Sequence, residues 1–213
     1  MIEYILIAIV SYFLGSIPFA QIIVGTRKIN LKKVGSGNIG TMNTLRSTNS
    51  IWLALIVLIF DAGKGAVSIL LAQYLSNYFS IDLKMAILIA AFFVVVGHNW
   101  SMFENFRSGR GIATSMGVSL LINWRLIIVW IAIWLIGALP TKIFSFGQIL
   151  AALFTPLAVY VLGFDKFYVY LATVLCIPMF VAHVPKIPLI LSGKEPKMYY
   201  KTRKKKRVKK SKR

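Results

Sequence analysis

Residues 112–139 read IATSMGVSLLINWRLIIVWIAIWLIGAL. This 28-residue run carries one charge, Arg125, which follows Asn123 and Trp124 near its middle. A helix crosses the hydrocarbon core of a bilayer in about 20 residues. A single span here would be over-long, and its unpaired arginine would cost about 2.5–3.5 kcal/mol on insertion scales. Two short helices with Asn123-Trp124-Arg125 at the interface remove that cost. The choice matters because it sets the number of spans, and so the side of the membrane on which every other polar segment lies.

The whole chain is apolar. It has 213 residues, 58% of them hydrophobic, with a mean hydropathy of +0.74. Only 15% are charged, against about a quarter in a soluble domain, and 13 of the lysines and arginines fall in the last 28 residues. This composition predicts one membrane domain over 1–197 and a basic tail, 198–213, expected to be disordered. Apolar runs fall near 2–24, 51–75, 84–97, 112–123, 125–139, 147–163 and 167–182. The first has Glu3 as its only early charge and no small-residue cleavage site after it, so it reads as a retained span. Gly163-Phe164-Asp165-Lys166 separates the last two runs.

Positive charge gathers on the cytoplasmic side of membrane proteins. Seven spans with an outside N-terminus put 21 lysines and arginines inside and three outside: Lys84, Arg125 and Lys166. Six spans would export either the basic tail or the basic 26–50 connection. The expected fold is therefore an all-α integral membrane protein of about seven transmembrane helices, several of them short, with the N-terminus outside and the C-terminus cytoplasmic. The polar, glycine-bearing connections 26–50, 97–111, 140–146 and 183–197 then all face the cytoplasm.

Three of these connections carry phosphate-binding chemistry. In KKVGSGNIGTMNTLR (32–46), Gly35, Gly37 and Gly40 surround Ser36 and Asn38. Glycines permit the positive φ with which successive N–H groups form a concave anion site. Arg46 adds a fork suited to phosphate. No nucleotide P-loop signature is present, and a solvated turn with a basic flank fits the same residues. In GHNWSMFENFRSGRG (97–111), Ser108-Gly109-Arg110-Gly111 leads into the helix expected from 112, whose N-terminus suits an anion, and Thr114 lies in its first turn. An ordinary glycine-bearing helix entry with snorkelling arginines is the alternative. In AHVPKIPLILSGKEPK (182–197), His183 follows the last span at interface depth. Pro185 and Pro188 argue against a continuing regular helix, and Glu195 is expected to pair with a basic neighbour. Asp61 and Lys64 lie three apart within the second span, on one helical face; charges within a span suggest function, and a structural ion pair pointing into the bundle fits them at least as well. Cys176 reads as a small buried hydrophobe, and the tail as a binder of anionic lipid rather than nucleic acid.

Absences narrow the classes. No Cys/His cluster has zinc spacing. Neither His98 nor His183 is followed five residues on by Asp, the acyltransferase motif used with thioester donors; Phe103 and Pro188 stand there. Carboxylates are too few for a proton or cation pathway. Two rivals to a phosphate-handling enzyme stay open: a transporter of a phosphorylated anion, against which the short, sparsely charged outer connections count, and a non-catalytic binder of anionic lipid.

The motifs resemble those of the bacterial acyl-phosphate:glycerol-3-phosphate acyltransferases, the PlsY type, along nearly the whole chain to about Lys197. The resemblance rests on Gly15-Ser16-Ile17-Pro18-Phe19; on Gly35, Ser36, Gly37, Asn38, Gly40, Asn43 and Arg46; and on Asp61, Lys64 and Gly65. It continues through Gly97, His98, Phe103, Phe106, Gly109, Gly111, Ala113 and Thr114, then Ser145 and Pro156, then His183, Ile187, Gly193 and Glu195. It implies acyl transfer from acyl phosphate to the 1-hydroxyl of glycerol 3-phosphate, giving lysophosphatidic acid and phosphate at the start of phospholipid synthesis. It implies no metal or cofactor, a plasma-membrane location with the site facing the cytoplasm, and membrane lipids and the soluble maker of acyl phosphate as partners. No nucleic acid is expected. The implied catalytic residues are Ser36, Arg46, Arg110, Ser145 and His183. Gly35, Gly37, Asn38, Gly40, Asn43, His98, Gly109, Gly111, Thr114, Lys142 and Lys186 are the implied substrate-binding residues, with Gly37, Gly109 and Gly111 lending backbone N–H groups. The chain departs from the pattern at Thr41, Met42, Ser101, Ser108, Arg110, Lys142, Lys186 and Leu189. Lys186 stands for an asparagine, and Leu189 for an arginine whose charge Lys186 is expected to replace. These departures make a divergent or inactive paralogue a further possibility.

Overall fold

The computed structural model describes residues 1–198. All its regular structure is helical: α1 (Ile2–Ser16), α2 (Phe19–Gly25), α3 (Thr41–Thr48), α4 (Ile51–Phe79), α5 (Leu83–Asn99), α6 (Ile112–Ile122), α7 (Arg125–Thr141), α8 (Phe144–Val161), α9 (Lys166–His183) and α10 (Ile187–Leu191), with three 3₁₀ turns. The expected tail lies outside the described residues apart from Met198.

Local chemistry sets the breaks. Ile17 precedes Pro18 and is held extended at φ −60°, ψ 116°, which separates α1 from α2. Ser50, Asp82 and Asp165 cap the N-termini of α4, α5 and α9, each side chain accepting an N–H one turn on. Between α6 and α7 the chain breaks at Asn123, whose Oδ1 accepts from the Arg125 N–H at 3.1 Å. The 112–139 run is thus two helices, as its arginine demanded.

Among the described residues, five stretches are long and apolar enough to cross a membrane: Ile2–Gly25, Ile51–Phe79, Leu83–Glu104, Phe144–Val161 and Lys166–Leu191. α6 and α7 are shorter, at 11 and 17 residues. At 1.5 Å per residue, α6 covers only about half of a hydrocarbon core roughly 30 Å thick.

Small residues let the helices touch. A Cβ added at Gly65 would strike the Thr114 carbonyl of α6, and one at Gly117 would strike Ala62 of α4. Gly15 and Gly97 do the same for α1 and α5. Between lipid-facing helices, where no hydrophobic drive separates protein from tail, such backbone approach is a main source of association. Large apolar side chains such as Ile59, Ile136 and Val161 face outward.

One expectation needs correction. The 183–197 segment is not an irregular connection from its start. A 3₁₀ turn, Val184–Lys186, carries α9 into α10, so the helical path runs to Leu191. Each proline sits at the first or second position of its short segment, where the missing N–H has no intrahelical partner to lose.

The fold gathers the polar connections at one end. The Ile39 N–H donates to the Ser108 carbonyl at 3.2 Å, Lys32 reaches the Glu104 carboxylate at 2.8 Å, and the Met198 N–H reaches the Lys142 carbonyl at 2.7 Å. At the opposite end the Asp82 N–H donates to the Tyr4 hydroxyl, and Lys84 lies over the Phe167 ring.

Candidate functional site

A cavity of about 520 Å³ opens at the polar end, lined by residues from the 35–46 segment, α4, α5, the entry to α6, the start of α8 and the 183–196 segment. Of the residues singled out from sequence, it gathers Gly35, Ser36, Asn38, Gly40, Asn43, Arg46, His98, Arg110, Ser145, His183 and Lys186. All five expected catalytic side chains are among them.

Two helices begin on this cavity. Gly40 caps α3 and Gly111 caps α6, neither with a side-chain oxygen. Thr41, Met42 and Asn43 of α3 and Ile112 and Ala113 of α6 line the cavity. The first N–H groups of a helix have no intrahelical partner and carry partial positive charge. Gly111 takes φ +80° at the cap of α6, and a Cβ there would press on Val95.

Neither Arg46 nor Arg110 pairs with a carboxylate within 4 Å among the described residues. Burial pushes the Arg110 guanidinium below its ordinary pKa, a shift that Glu195 opposes and Arg46 reinforces. Arginine stays charged through such shifts. The cavity therefore holds two cations whose counter-charge must come from a ligand or from solvent.

Its other charges are matched. Glu195 accepts from the Ser145 hydroxyl at 2.6 Å and pairs with Lys186 at 3.1 Å, the basic partner expected for it. Asp61 pairs with Lys64 at 3.1 Å, also as expected. It also lines the cavity and lies 3.7 Å from His98 Nδ1. Lys64 also donates to the Ile17 carbonyl at the α1–α2 break. His183 Nδ1 sits 2.8 Å from the Met179 carbonyl, leaving Nε2 without a partner.

Several expected roles are corrected. Gly37 and Gly109 do not offer their N–H groups: Gly37 N–H donates to Val34 at 3.1 Å and Gly109 N–H to His98 at 2.9 Å. Neither lines the cavity. Gly109 is small because the His98 ring lies where its Cβ would be, so His98 shapes the backbone just before Arg110. The Asn43 side chain is consumed in building the loop, accepting from Ser36 N–H at 2.8 Å and donating to Leu31 and Val34 carbonyls. Thr114 is fully buried, with its backbone carbonyl against Gly65 of α4, and it does not line the cavity. Lys142 is exposed at φ +58°, between α7 and α8, and its side chain does not line the cavity. Gly111 acts as a helix cap and is likewise absent from the lining.

Sequence reading missed the N-terminus of α3, although Gly40 before TMNTLRST and Asn49 after it are start and stop signals. It also missed Glu195 as the residue that joins Ser145 to Lys186.

Comparison with known proteins follows this geometry. A family model described as glycerol-3-phosphate acyltransferase matches residues 5–193. The glycerol-3-phosphate acyltransferase of Jannaschia sp. (strain CCS1) is 35% identical over 194 residues, covering 91% of this chain and 92% of that protein. The crystal structure of PlsY (YgiH), an integral membrane glycerol 3-phosphate acyltransferase, in its glycerol 3-phosphate form is similar with a TM-score of 0.76 and 27% identity, covering 91% of this chain and 94% of that one. Its lysophosphatidic acid form is similar with the same TM-score, at 26% identity.

Proposed function

This chain belongs to the glycerol-3-phosphate acyltransferase family, and from that premise we propose that it moves a fatty acyl group from acyl phosphate to the 1-hydroxyl of glycerol 3-phosphate. The products are lysophosphatidic acid and inorganic phosphate. The observation that carries this reading is the pair of arginines, Arg46 and Arg110, without a carboxylate partner among the described residues, on one cavity with two helix N-termini that no side chain caps. Both substrates are phosphate monoanions or dianions, and this is a set of donors for such groups.

The chemistry asks little of the protein. An acyl phosphate is a mixed anhydride and already activated. The hydroxyl oxygen attacks the acyl carbon, the carbon–oxygen bond to phosphate breaks, and the hydroxyl proton ends on the departing phosphate. The protein positions the two reactants and stabilises charge that grows on the leaving group. Arg46, Arg110 and the N–H groups at the starts of α3 and α6 do the latter. Ser36 and Lys186 complete the polar wall.

We place the cavity at the cytoplasmic surface of the plasma membrane, because the positive-inside count puts its four segments there. An interfacial mouth suits a donor with a soluble head and an oily tail. The donor comes from a soluble enzyme on that side.

The test is purified protein in lipid, supplied with palmitoyl phosphate and glycerol 3-phosphate. Phosphate released in step with lysophosphatidic acid is the expected result. Binding of either ligand without product would overturn the reading in favour of an anionic-lipid binder. Uptake of glycerol 3-phosphate into sealed vesicles without acyl transfer would overturn it in favour of a transporter.

A further inference from the structure

A second concavity, a groove of about 680 Å³, runs along the outside of α1 and α5 and shares no residue with the polar-end cavity. Its walls include Tyr4, Ile9 and Phe13 of α1, Phe93 of α5, and Met102 and Phe106 of the connection after α5. The two tyrosine hydroxyls that could wet it are spent on backbone: Tyr12 donates to the Trp100 carbonyl at 2.8 Å, and Tyr4 accepts from the Asp82 N–H. Along α1 the groove extends from Met1 to Phe13, about 18 Å at 1.5 Å per residue. One leaflet of a bilayer contributes about 15 Å of hydrocarbon, so the groove is about as long as one lipid chain is deep.

Its two ends differ in charge. At the start of α1, Glu3 takes the Met1 ammonium at 2.6 Å and the charges cancel. At the other end Lys32 takes the Glu104 carboxylate at 2.8 Å. Arg107 is then left exposed, with no carboxylate within 4 Å among the described residues. It directly follows Phe106, and its N–H closes the turn onto the Glu104 carbonyl at 3.1 Å. Asn105 and Phe106 take φ of +51° and +55°. A bulky residue rarely adopts that conformation, and here it sets a ring that is 60% exposed at the charged end of the groove. The positive-inside count puts this end at the cytoplasmic surface.

An apolar trough one leaflet deep, with an unpaired cation at its cytoplasmic end, matches a lipid with its head at that interface and its chain toward the bilayer centre. We propose that the groove binds one anionic phospholipid of the cytoplasmic leaflet, with its phosphate on Arg107 and one acyl chain along α1 and α5. This goes beyond the acyltransferase reading and does not depend on it. Guanidinium and phosphate pair well at such an interface. A zwitterionic lipid carries its own cation beside the phosphate and gains less from Arg107. A second copy docked by the same face about a two-fold axis along the membrane normal would set two Arg107 side chains at one end, like charge beside like.

The experiment places the full chain in phosphatidylcholine nanodiscs doped with a trace of phosphatidylglycerol or phosphatidylcholine, each carrying the same photoreactive chain, and maps the cross-links by mass spectrometry. The phosphatidylglycerol probe should mark residues within 1–13 and 89–106 severalfold more than the phosphatidylcholine probe, and unlabelled phosphatidylglycerol should displace it. Arg107→Gln should lower the phosphatidylglycerol signal there about fivefold, the worth of one cation near a membrane surface, and leave the phosphatidylcholine signal within twofold. Ala8→Trp fills the groove without changing charge and should lower the phosphatidylglycerol signal as well. Lys194→Gln removes an exposed charge that does not line the groove and should leave it unchanged. Equal marking by the two probes, or an Arg107→Gln protein that marks like wild type, would overturn the proposal, because the groove would then be ordinary lipid contact. Cross-links confined to 198–213 would overturn it too. Displacement by palmitoyl phosphate at lower concentration than by phosphatidylglycerol would overturn it in favour of a single-chain ligand. A dimer that shields α1 and α5 from both probes would overturn it in favour of self-association.

Discussion

Asp61–Lys64 and Glu195–Lys186 are the same chemical pair in two settings. The first lies within one transmembrane helix, both side chains about 2% exposed, with Lys64 also tied to the Ile17 carbonyl and set near the Phe19 ring. The second joins two turns at the mouth of the cavity, with side chains 17% and 7% exposed. Burial separates their roles. Deep in the bundle, each charge depends on the other for its solvation, and breaking the pair strands a charge. At the cavity, water and ligand can replace a lost partner, and the pair orients the Ser145 hydroxyl, which donates to Glu195.

The sharpest break of this comparison is Lys64→Met. It leaves the buried Asp61 without its cation and should lower stability by about 3–5 kcal/mol, seen as a large fall in melting temperature in lipid. Asp61→Asn with Lys64→Met should restore most of that loss. A single mutant as stable as wild type would mean the two pairs are equivalent.

Glu195→Ala should act in the opposite proportion. It frees Ser145 and Lys186 and should cost about 1.5–3 kcal/mol of stability, the range for hydrogen bonds to a charged group. Its larger effect should be on the KM for glycerol 3-phosphate, read against the melting temperature of the same sample. A smaller change is expected for Lys186→Ala, which removes one cavity cation but leaves the Ser145–Glu195 bond in place. A severalfold rise in KM with little change in melting temperature is the expected result. Unchanged kinetics would show that Lys186 does not stand in for the charge missing at Leu189. The smallest effect belongs to Lys142→Ala. This exposed residue off the cavity should stay within about 0.5 kcal/mol of wild type in stability, with kinetics to match. Tenfold slower turnover would return Lys142 to the site.

Much of this arrangement was legible in the chain. The break at Asn123 followed from one arginine in an apolar run. The Asp61–Lys64 pair followed from helical spacing. Ser36, Arg46, Arg110, Ser145, His183 and Lys186 stand out in the polar connections of the sequence, and they share one cavity. The errors fall on partners rather than on residues. Gly37 and Gly109 were expected to lend N–H groups, and both N–H groups are used inside the protein. Thr114 lies in the first turn of α6 but is fully buried and does not line the cavity. α3 was overlooked because eight residues with a polar face give a weak periodic signal beside spans of up to 29 residues.

Short segments of the chain fix the solvent of this protein, the break between α6 and α7, and the inventory of donors and acceptors at one end of the bundle. Those depend on hydropathy, caps and charge, which are properties of short segments. Only the tertiary structure decided which donor meets which acceptor. That Ser145 turns its hydrogen to Glu195, and that Arg46 and Arg110 have no carboxylate within 4 Å among the described residues, depend on residues up to 50 positions apart. A hydrogen bond needs its partners within about 3 Å, and packing alone sets distances on that scale between distant parts of a chain.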